Sequence, residues 1–343
     1  MPSFKIKKPR RLTAPSKPLW QRTQTIKRTN GNRRKMWVSV ALLLALFALI
    51  LAGFIYRAMT SGTWEGKEQF NFLVGAEGER VLLISLDPES TNVLVFDLNP
   101  NVMIETVYGY GDYKIGSLLR LGRMEKLGSD LLQESVQHTF GMKMADVLPV
   151  STATVQVINA AYIQRLAKPM LVSLLGRPLG ISDVWRYISA TSSLRDDQVT
   201  VISLHESRLA YSEPLADESI VFRLDQQRLD GFIQAQIHGT NYINEKIGVS
   251  IINTTSHPGL ASSLSRISLN SGIDVISVGE SQDTLATSAV IYDKPETADS
   301  ETVRLIRELL PGSTLTSKSE AIRADVVVLL GEDYNDYLTK RPR

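Results

Sequence analysis

The sequence FNFLVGAEGERVLLISLDPESTNVLVFDL (residues 70–98) contains three short apolar runs separated by turn residues. The first run precedes Gly75, the second ends at Asp87-Pro88, and the third begins at Asn92. Apolar and β-branched runs of this length between glycine, proline and asparagine predict β-strands. We expect adjacent strands, with the second and third joined as a hairpin.

Beyond these strands, predicted helices and strands alternate. Leu132, Val136 and Phe140 recur at four-residue intervals, as on one face of a helix, and Gly141 follows as a stop. Further strands are predicted at residues 155–158, 199–204 and 220–224, and further helices at residues 162–175, 183–194 and 226–237. This alternation predicts an α/β layered domain over residues 68–240.

A second pattern occupies residues 247–335. Strands are predicted at residues 249–252, 273–278, 289–292 and 326–330, with helical stripes at residues 260–267 and 303–310. The order β-α-β-β-α-β predicts a smaller, ferredoxin-like domain with both helices on one face of its sheet. We expect the boundary between the two domains to fall between Asn241 and Lys246.

A segment without charged residues, WVSVALLLALFALILAGFIY, runs from Trp37 to Tyr56. Twenty residues at about 1.5 Å each span the roughly 30 Å hydrocarbon layer of a bilayer. Twelve of them are Leu, Ile, Phe or Val, which together favour insertion by about 4 to 7 kcal/mol. The sequence therefore predicts a transmembrane helix at residues 37–57. A signal peptide is disfavoured, because its apolar core would be shorter and an A-x-A-like cleavage site would follow.

Charge gives the predicted orientation. Residues 1–36 contain 12 of the 38 Lys and Arg residues and none of the 36 acidic residues, so the rest of the chain has a net charge of 26 − 36 = −10. Arg33, Arg34 and Lys35 precede the apolar segment, whereas only Arg57 follows it closely, which predicts a cytoplasmic amino terminus and an extracellular carboxyl-terminal region at the cell membrane. Residues 1–36 are predicted to be disordered. They either enforce this topology alone or also bind anionic lipid or nucleic acid.

The sequence contains no cysteine, which excludes disulfides, thiolate metal sites and cysteine nucleophiles. The four histidines, at positions 138, 205, 238 and 257, show no metal-ligand spacing, and no metal site is predicted. The tyrosine-rich segment Tyr108-Gly-Tyr-Gly-Asp-Tyr113 is typical of a turn with packed rings, and stacking on a sugar or lipid is the alternative. No nucleophile elbow, phosphate-binding loop or dinucleotide fingerprint occurs.

The carboxyl-terminal pattern resembles the LytR cell-envelope carboxyl-terminal domain. Five segments in order support the resemblance: Val249-Ser-Ile-Ile-Asn253, Pro258-Gly-Leu-Ala261, Gly272-Ile-Asp-Val-Ile-Ser-Val-Gly279, Thr287-Ser-Ala-Val-Ile-Tyr292 and Ala324-Asp-Val-Val-Val-Leu-Leu-Gly-Glu-Asp-Tyr334. Several of their glycines fall at strand and helix ends, where a positive φ or a close approach is useful.

The preceding domain resembles a divergent LytR-CpsA-Psr domain. The supporting segments are Asn71-Phe-Leu-Val-Gly75, Leu82-Leu-Ile-Ser-Leu-Asp-Pro88 and Tyr110-Gly-Asp-Tyr-Lys-Ile115, in the order of the family. The resemblance implies attachment of anionic glycopolymers to peptidoglycan from a polyprenyl-pyrophosphate carrier.

The departures from this family concern its charged residues. Glu77-Gly78-Glu79 stands where the family has Arg-Ser-Asp, and Asn99-Pro100-Asn101 stands where it has Pro-Arg-Asp. The isolated Arg186 and Arg195 do not reproduce the family's later cluster of arginines and Asp. A pyrophosphate needs arginine forks and a divalent cation needs carboxylates. The sequence therefore predicts no catalytic residues.

Glu79 and Lys114 are the weak candidates for ligand binding, because they stand where the family has a carboxylate and a lysine. The alternative is that both are solvated surface charges. The sequence favours a non-catalytic or altered relative of the family that binds or scaffolds cell-wall glycopolymer, peptidoglycan or polyprenyl-linked precursors, without a cofactor. One alternative is an active phosphotransferase, which would use Mg²⁺. Another is a membrane-bound regulator with a nucleic-acid-binding tail, which the lack of a helix-turn-helix disfavours.

Overall fold

The computed structural model of the chain describes residues 35–47, 53, 64, 66, 68–173, 179–216, 218–236, 244–317 and 324–340. The chain divides into two compact units, residues 1–58 and residues 59–343. The boundary predicted near residue 240 lies within the second unit and stays a prediction.

The first unit contains the helix α1 over residues 35–47, whose side chains are exposed. Of the predicted transmembrane segment, residues 48–52 and 54–57 lie outside the described residues, as do residues 1–34 of the predicted tail. Within the described ranges, no helix has both the length and the apolar character needed to cross a membrane.

The second unit begins with a region of alternating strands and helices up to residue 236, and it has the predicted mixed α/β class. Its strands are β1 (Phe70–Val74), β2 (Val81–Leu86), β3 (Val93–Leu98), β4 (Val102–Thr106), β5 (Gly111–Lys114), β6 (Val147–Leu148), β7 (Val199–Ser203), β8 (Ala210–Pro214) and β9 (Ile220–Leu224). Its helices are α2 (Ile115–Met124), α3 (Asp130–Phe140), α4 (Ala160–Arg165), α5 (Ala167–Ser173), α6 (Ile181–Thr191) and α7 (Gln226–Gln236).

The three apolar runs form the centre of a five-stranded sheet with the order β6-β1-β2-β3-β7. The predicted antiparallel hairpin of β2 and β3 is confirmed. Side chains alternate along a strand, and here both faces are covered: Leu83 points into a cluster with α2, α3 and α7, and Leu82 into a cluster with α4, α5 and α6. Burial on both faces explains why these strands are continuous apolar runs. A second sheet has the order β5-β4-β9-β8.

Two predicted elements of this region differ in the structure. Residues 155–158 form no strand. The Val155 carbonyl accepts a hydrogen bond from the Arg80 guanidinium, and Val157 is 68% exposed. The helix predicted over residues 162–175 is two helices, α4 and α5, interrupted at Leu166, and residues 174 and 175 lie outside the described residues.

The carboxyl-terminal region contains a mixed sheet with helices on one face. Its elements are β10 (Gly248–Asn253), α8 (Leu260–Asn270), β11 (Asp274–Glu280), β12 (Ala289–Tyr292), α9 (Pro295–Ala298), α10 (Glu301–Leu309), β13 (Thr314–Ser317), β14 (Val326–Leu330) and α11 (Glu332–Thr339). As predicted, α8 and α10 share one apolar cluster with β10, β12 and β14. Gly272 ends the first of these helices with a φ of 90°, as expected for a glycine stop.

The predicted ferredoxin-like arrangement is not confirmed. The strand order is β11-β10-β14-β12-β13, and β10 pairs in parallel with both β11 and β14. In a split βαβ unit another strand separates the two parallel strands, whereas β10 and β11 are direct neighbours. The prediction also lacked β13, because its sequence TLTS contains no apolar run.

Candidate functional site

Glu79 anchors the loop that follows β6. Its carboxylate accepts hydrogen bonds from the Thr152 backbone N–H at 2.6 Å, the Ala153 backbone N–H at 2.9 Å and the Ser151 hydroxyl at 2.9 Å. These donors, the Ser151 hydroxyl most of all, hold the pKa of Glu79 below its ordinary value. The carboxylate therefore already has several donors from its own chain, and binding of an external ligand by Glu79 stays a prediction.

Lys114 ends β5, directly before α2. The segments of Glu79 and Lys114 lie side by side, because the Gly78 N–H donates to the Gly116 carbonyl at 2.8 Å. Gly116 in turn donates to the Pro100 carbonyl at 3.1 Å. A Cβ at Gly116 would lie 2.7 Å from the Pro100 Cβ, so this approach requires glycine. The structure thus brings together the segments with Glu79, Pro100 and Lys114, while no ion pair between Glu79 and Lys114 occurs in the described structure.

Arg80 follows Glu79 in the sequence, and its guanidinium is paired with groups of its own chain. The Arg80 guanidinium lies 2.7 Å from the Asp97 carboxylate and also donates to the Val155 carbonyl. Asp97 is 15% exposed and Arg80 is 28% exposed. Sequence reasoning missed this pair, although an aspartate inside the apolar run VLVFDL was a signal that a partner would be needed.

An open cleft of about 720 Å³ lies at the carboxyl ends of β1 and β6. Its charged lining residues are two bases and three acids: Arg123, Lys126, Glu77, Asp130 and Asp146. Arg123 forms an ion pair with Glu77, and its side chain is 69% exposed. The cleft therefore combines basic and acidic groups with a net charge of 2 − 3 = −1 at its wall.

The tyrosine-rich segment forms a turn with a packed ring only at its start, near Tyr108, and then continues into β5, which contains Tyr113. Tyr108 is buried with a φ of 63°, and its hydroxyl donates to the Glu134 carboxylate. Burial raises the pKa of Glu134, whereas hydrogen bonds from Tyr108 and Tyr337 oppose this effect. Tyr113 remains 36% exposed.

The structure contains no metal-binding group of three or more His, Asp or Glu residues in the part of the chain that it describes. His138 lies in α3, and its ring nitrogen is 3.1 Å from the Ser263 hydroxyl. Burial and the neighbouring Arg266 charge lower the pKa of His138. His238 lies outside the described residues.

Comparison with solved structures gives several remote similarities. A LytR-CPS2A-psr family protein, YwtF (TagT), with bound octaprenyl pyrophosphate lipid, is 14% identical at a TM-score of 0.33, with 50% of this chain and 92% of that chain covered. TagT of B. subtilis is 15% identical at a TM-score of 0.33, with 51% of this chain and 93% of that chain covered. The transcriptional regulator yvhJ from Bacillus subtilis is 11% identical at a TM-score of 0.37, with 49% of this chain and 97% of that chain covered.

Comparison of the sequence gives a family match in the carboxyl-terminal region. Residues 246–334 match the family described as LytR cell envelope-related transcriptional attenuator. No match to a curated protein reaches significance. The predicted resemblance of the carboxyl-terminal region is confirmed by the family match, which covers residues 246–334.

Proposed function

We propose that this chain is a membrane-anchored cell-envelope protein that binds cell-wall glycopolymer or its lipid-linked precursor outside the cell and does not transfer it. The match of residues 246–334 to a cell envelope-related family supports the setting. The uncharged segment from Trp37 to Tyr56, with its basic flank, supports a single membrane anchor with a cytoplasmic amino terminus.

The observation that favours binding without transfer is that charged groups of the segment 77–80 and of the cleft are already paired within the chain. Arg80 is paired with Asp97, Arg123 is paired with Glu77, and Glu79 accepts hydrogen bonds from residues 151–153. Transfer of a phosphoryl group depends on groups that are preorganised for the developing negative charge. Arginines that already hold carboxylates would have to leave these partners first.

A binding and turnover experiment tests this proposal on the full chain in lipid nanodiscs. We expect the protein to bind a polyprenyl-pyrophosphate-linked glycan without releasing polyprenyl phosphate in the presence of a peptidoglycan acceptor, with or without Mg²⁺. Arg123→Ala should weaken binding, whereas Arg195→Ala should not. Arg195 is a matched control, because it is 70% exposed and paired with Asp197 at 2.9 Å. Absence of binding would refute the proposal.

The transferase alternative has one observation in its favour. Asp130 and Asp146 line the same cleft as Arg123 and Lys126, so carboxylates and bases do converge there from distant positions. Carboxylate oxygens are ligands that Mg²⁺ uses in phosphate chemistry. Mg²⁺-dependent release of polyprenyl phosphate that is lost in Asp130→Asn would establish this alternative.

The proposed topology has its own test. Protease added to intact cells should digest the region after residue 57 and spare a tag at the amino terminus, because we place only the tail in the cytoplasm. The reverse pattern would refute the extracellular location. Retention of a DNA locus at the membrane that is lost on deletion of residues 1–34 would instead support the regulator alternative.

A further inference from the structure

Exposed apolar side chains lie on the outer face of α5 and α6. Leu171 and Val172 of α5 are 48% and 74% exposed, and Ile181 and Trp185 of α6 are 43% and 71% exposed. Single exposed apolar residues are normal on a protein surface, whereas a group of them that includes a tryptophan marks a place of contact. We call these four residues the α5–α6 patch.

The opposite sides of both helices are fixed to the sheet. Met170 of α5 and Val184 and Tyr187 of α6 belong to the apolar cluster that covers one face of the first sheet, and α5 packs against α6. Ile181 and Trp185 are four residues apart and therefore lie on the same face of α6. The α5–α6 patch thus points away from the sheet.

The segment that carries the patch is basic. Residues 160–191, which include α4, α5 and α6, contain four Lys and Arg residues and one acidic residue, Asp183, for a net charge of 4 − 1 = +3. Asp183 is 0% exposed and accepts hydrogen bonds from backbone N–H groups, whereas Arg165 and Lys168 are exposed. Apolar side chains beside exposed lysine and arginine are typical of a surface that lies on anionic lipid.

The chain from the uncharged segment enters the second unit at α6. The Trp64 N–H donates to the Asp183 carboxylate at 3.1 Å, and the Arg186 guanidinium donates to the Trp64 carbonyl. Trp64 is therefore fixed to the helix that carries Trp185. Seven residues separate Tyr56, the last residue of the uncharged segment, from Trp64. A fully extended link of this length spans at most about 29 Å, so a membrane anchor would keep α6 close to the bilayer.

We propose that the α5–α6 patch docks on the outer surface of the membrane, with Trp185 at the level of the headgroups and the basic residues against anionic lipid. This inference rests on the proposed membrane anchor and adds a second point of attachment. A single tether leaves the orientation of the extracellular region relative to the bilayer open, whereas docking fixes it. A lipid-linked ligand would then meet the protein in one orientation.

A second copy of the chain is the less favoured occupant of the patch. Two such faces would bring two basic segments, each with a net charge of +3, against one another. Like charges across an interface oppose association. Anionic headgroups have the opposite sign and attract each lysine or arginine near the membrane surface.

Single spin labels on the full chain in nanodiscs with anionic lipid test the proposal. The sequence contains no cysteine, so one introduced cysteine takes the only label. Val172→Cys and Ile181→Cys report on the patch, and Ile220→Cys, 56% exposed on β9, is the matched control. We expect oxygen, which dissolves in lipid, to reach the labels at positions 172 and 181 severalfold more readily than an aqueous nickel complex does. The label at position 220 should show the reverse preference.

A charge placed in the patch tests the contact itself. Trp185→Asp changes an exposed side chain and leaves the core unchanged. It should give the label at position 172 the aqueous preference, because a carboxylate is repelled by anionic headgroups and is costly to remove from water. Tyr211→Asp, at a 54% exposed tyrosine of β8, should leave that label unchanged.

A label introduced by Leu44→Cys separates docking from anchorage, because Leu44 lies within the predicted transmembrane segment. Oxygen preference at position 44 with aqueous preference at positions 172 and 181 would overturn docking and leave the anchor standing. Aqueous preference at position 44 would refute the anchor and this inference with it. Dipolar coupling between labels at position 172 of different molecules would also overturn docking, since a second copy would then cover the patch.

Discussion

The Arg80 guanidinium lies 2.7 Å from the carboxylate of Asp97, an aspartate on β3 whose side chain is 15% exposed. Removal of the arginine would leave this largely buried carboxylate without its partner. We expect Arg80→Ala to lower the free energy of unfolding by about 1 to 3 kcal/mol, less than for a fully buried pair because Arg80 is 28% exposed. Urea unfolding followed by tryptophan fluorescence measures the loss.

The control for this prediction is Arg195→Ala. Arg195 is 70% exposed and lies 2.9 Å from Asp197, which is 68% exposed. An exposed pair contributes about 0 to 1 kcal/mol. Equal losses in the two variants would contradict the assignment of Arg80 to the core of the fold.

The pH dependence of stability should report on Glu79. Hydrogen bonds from Ser151, Thr152 and Ala153 lower the pKa of Glu79 in the folded state from its ordinary value of 4.5. Such a group stabilises the fold above its unfolded pKa, and this contribution is lost as the pH falls through the folded pKa. Glu79→Gln should therefore be less stable than the unchanged protein at pH 6, and the difference should shrink below pH of about 4.

Glu89→Gln is the control, because Glu89 is exposed on the turn between β2 and β3. Its unfolding midpoint at pH 6 should equal that of the unchanged protein, because the Glu89 side chain is exposed. If the Glu79→Gln difference is constant from pH 6 to pH 3, the carboxylate charge is not what holds the loop after β6.

The sequence was most informative where local pattern and packing agree. The apolar runs at residues 70–98 predicted strands correctly, because short apolar runs between turn residues fit strands that are buried on both faces. The order in which strands pair within a sheet could not be predicted from such local patterns. The ferredoxin-like prediction depended on element order alone, and the polar strand β13 carries no apolar signal at all.

The candidate site was harder to predict because its contacts join residues that are distant in sequence. Glu79 could be singled out, but its partners follow 72 to 74 residues later in a loop without a motif. The absence of the arginines that the resemblance would imply was visible in the sequence, whereas the pairing of Arg123 with Glu77 required the structure.

Glu134 should give the opposite pH dependence. Burial raises its pKa above 4.5 in the folded state, so protonation favours the fold and stability decreases as the pH rises through the raised pKa. Glu134→Gln removes this titration. We expect the unchanged protein to lose more stability than the variant as the pH rises above 4.5, the ordinary pKa of this group, measured by urea unfolding at each pH. Parallel curves for the two proteins would contradict the burial of this carboxyl group beside Tyr108.

Asn270 should couple the carboxyl-terminal region to the preceding region. Its side chain, 1% exposed, donates to the Phe140 carbonyl at 3.1 Å and to the Asp230 carboxylate at 3.0 Å, and accepts from Gln234 at 2.9 Å. Asn270→Ala leaves buried hydrogen-bonding groups without a partner, and each such group lowers the free energy of unfolding by about 1 to 3 kcal/mol. We expect calorimetric unfolding to change from one transition to two, because the substitution removes hydrogen bonds between the two regions and leaves the apolar core of each region unchanged. Asn335→Ala, on α11 and partly exposed, should keep the single transition. A single transition in Asn270→Ala at an unchanged midpoint would mean that the apolar contacts alone hold the two regions together.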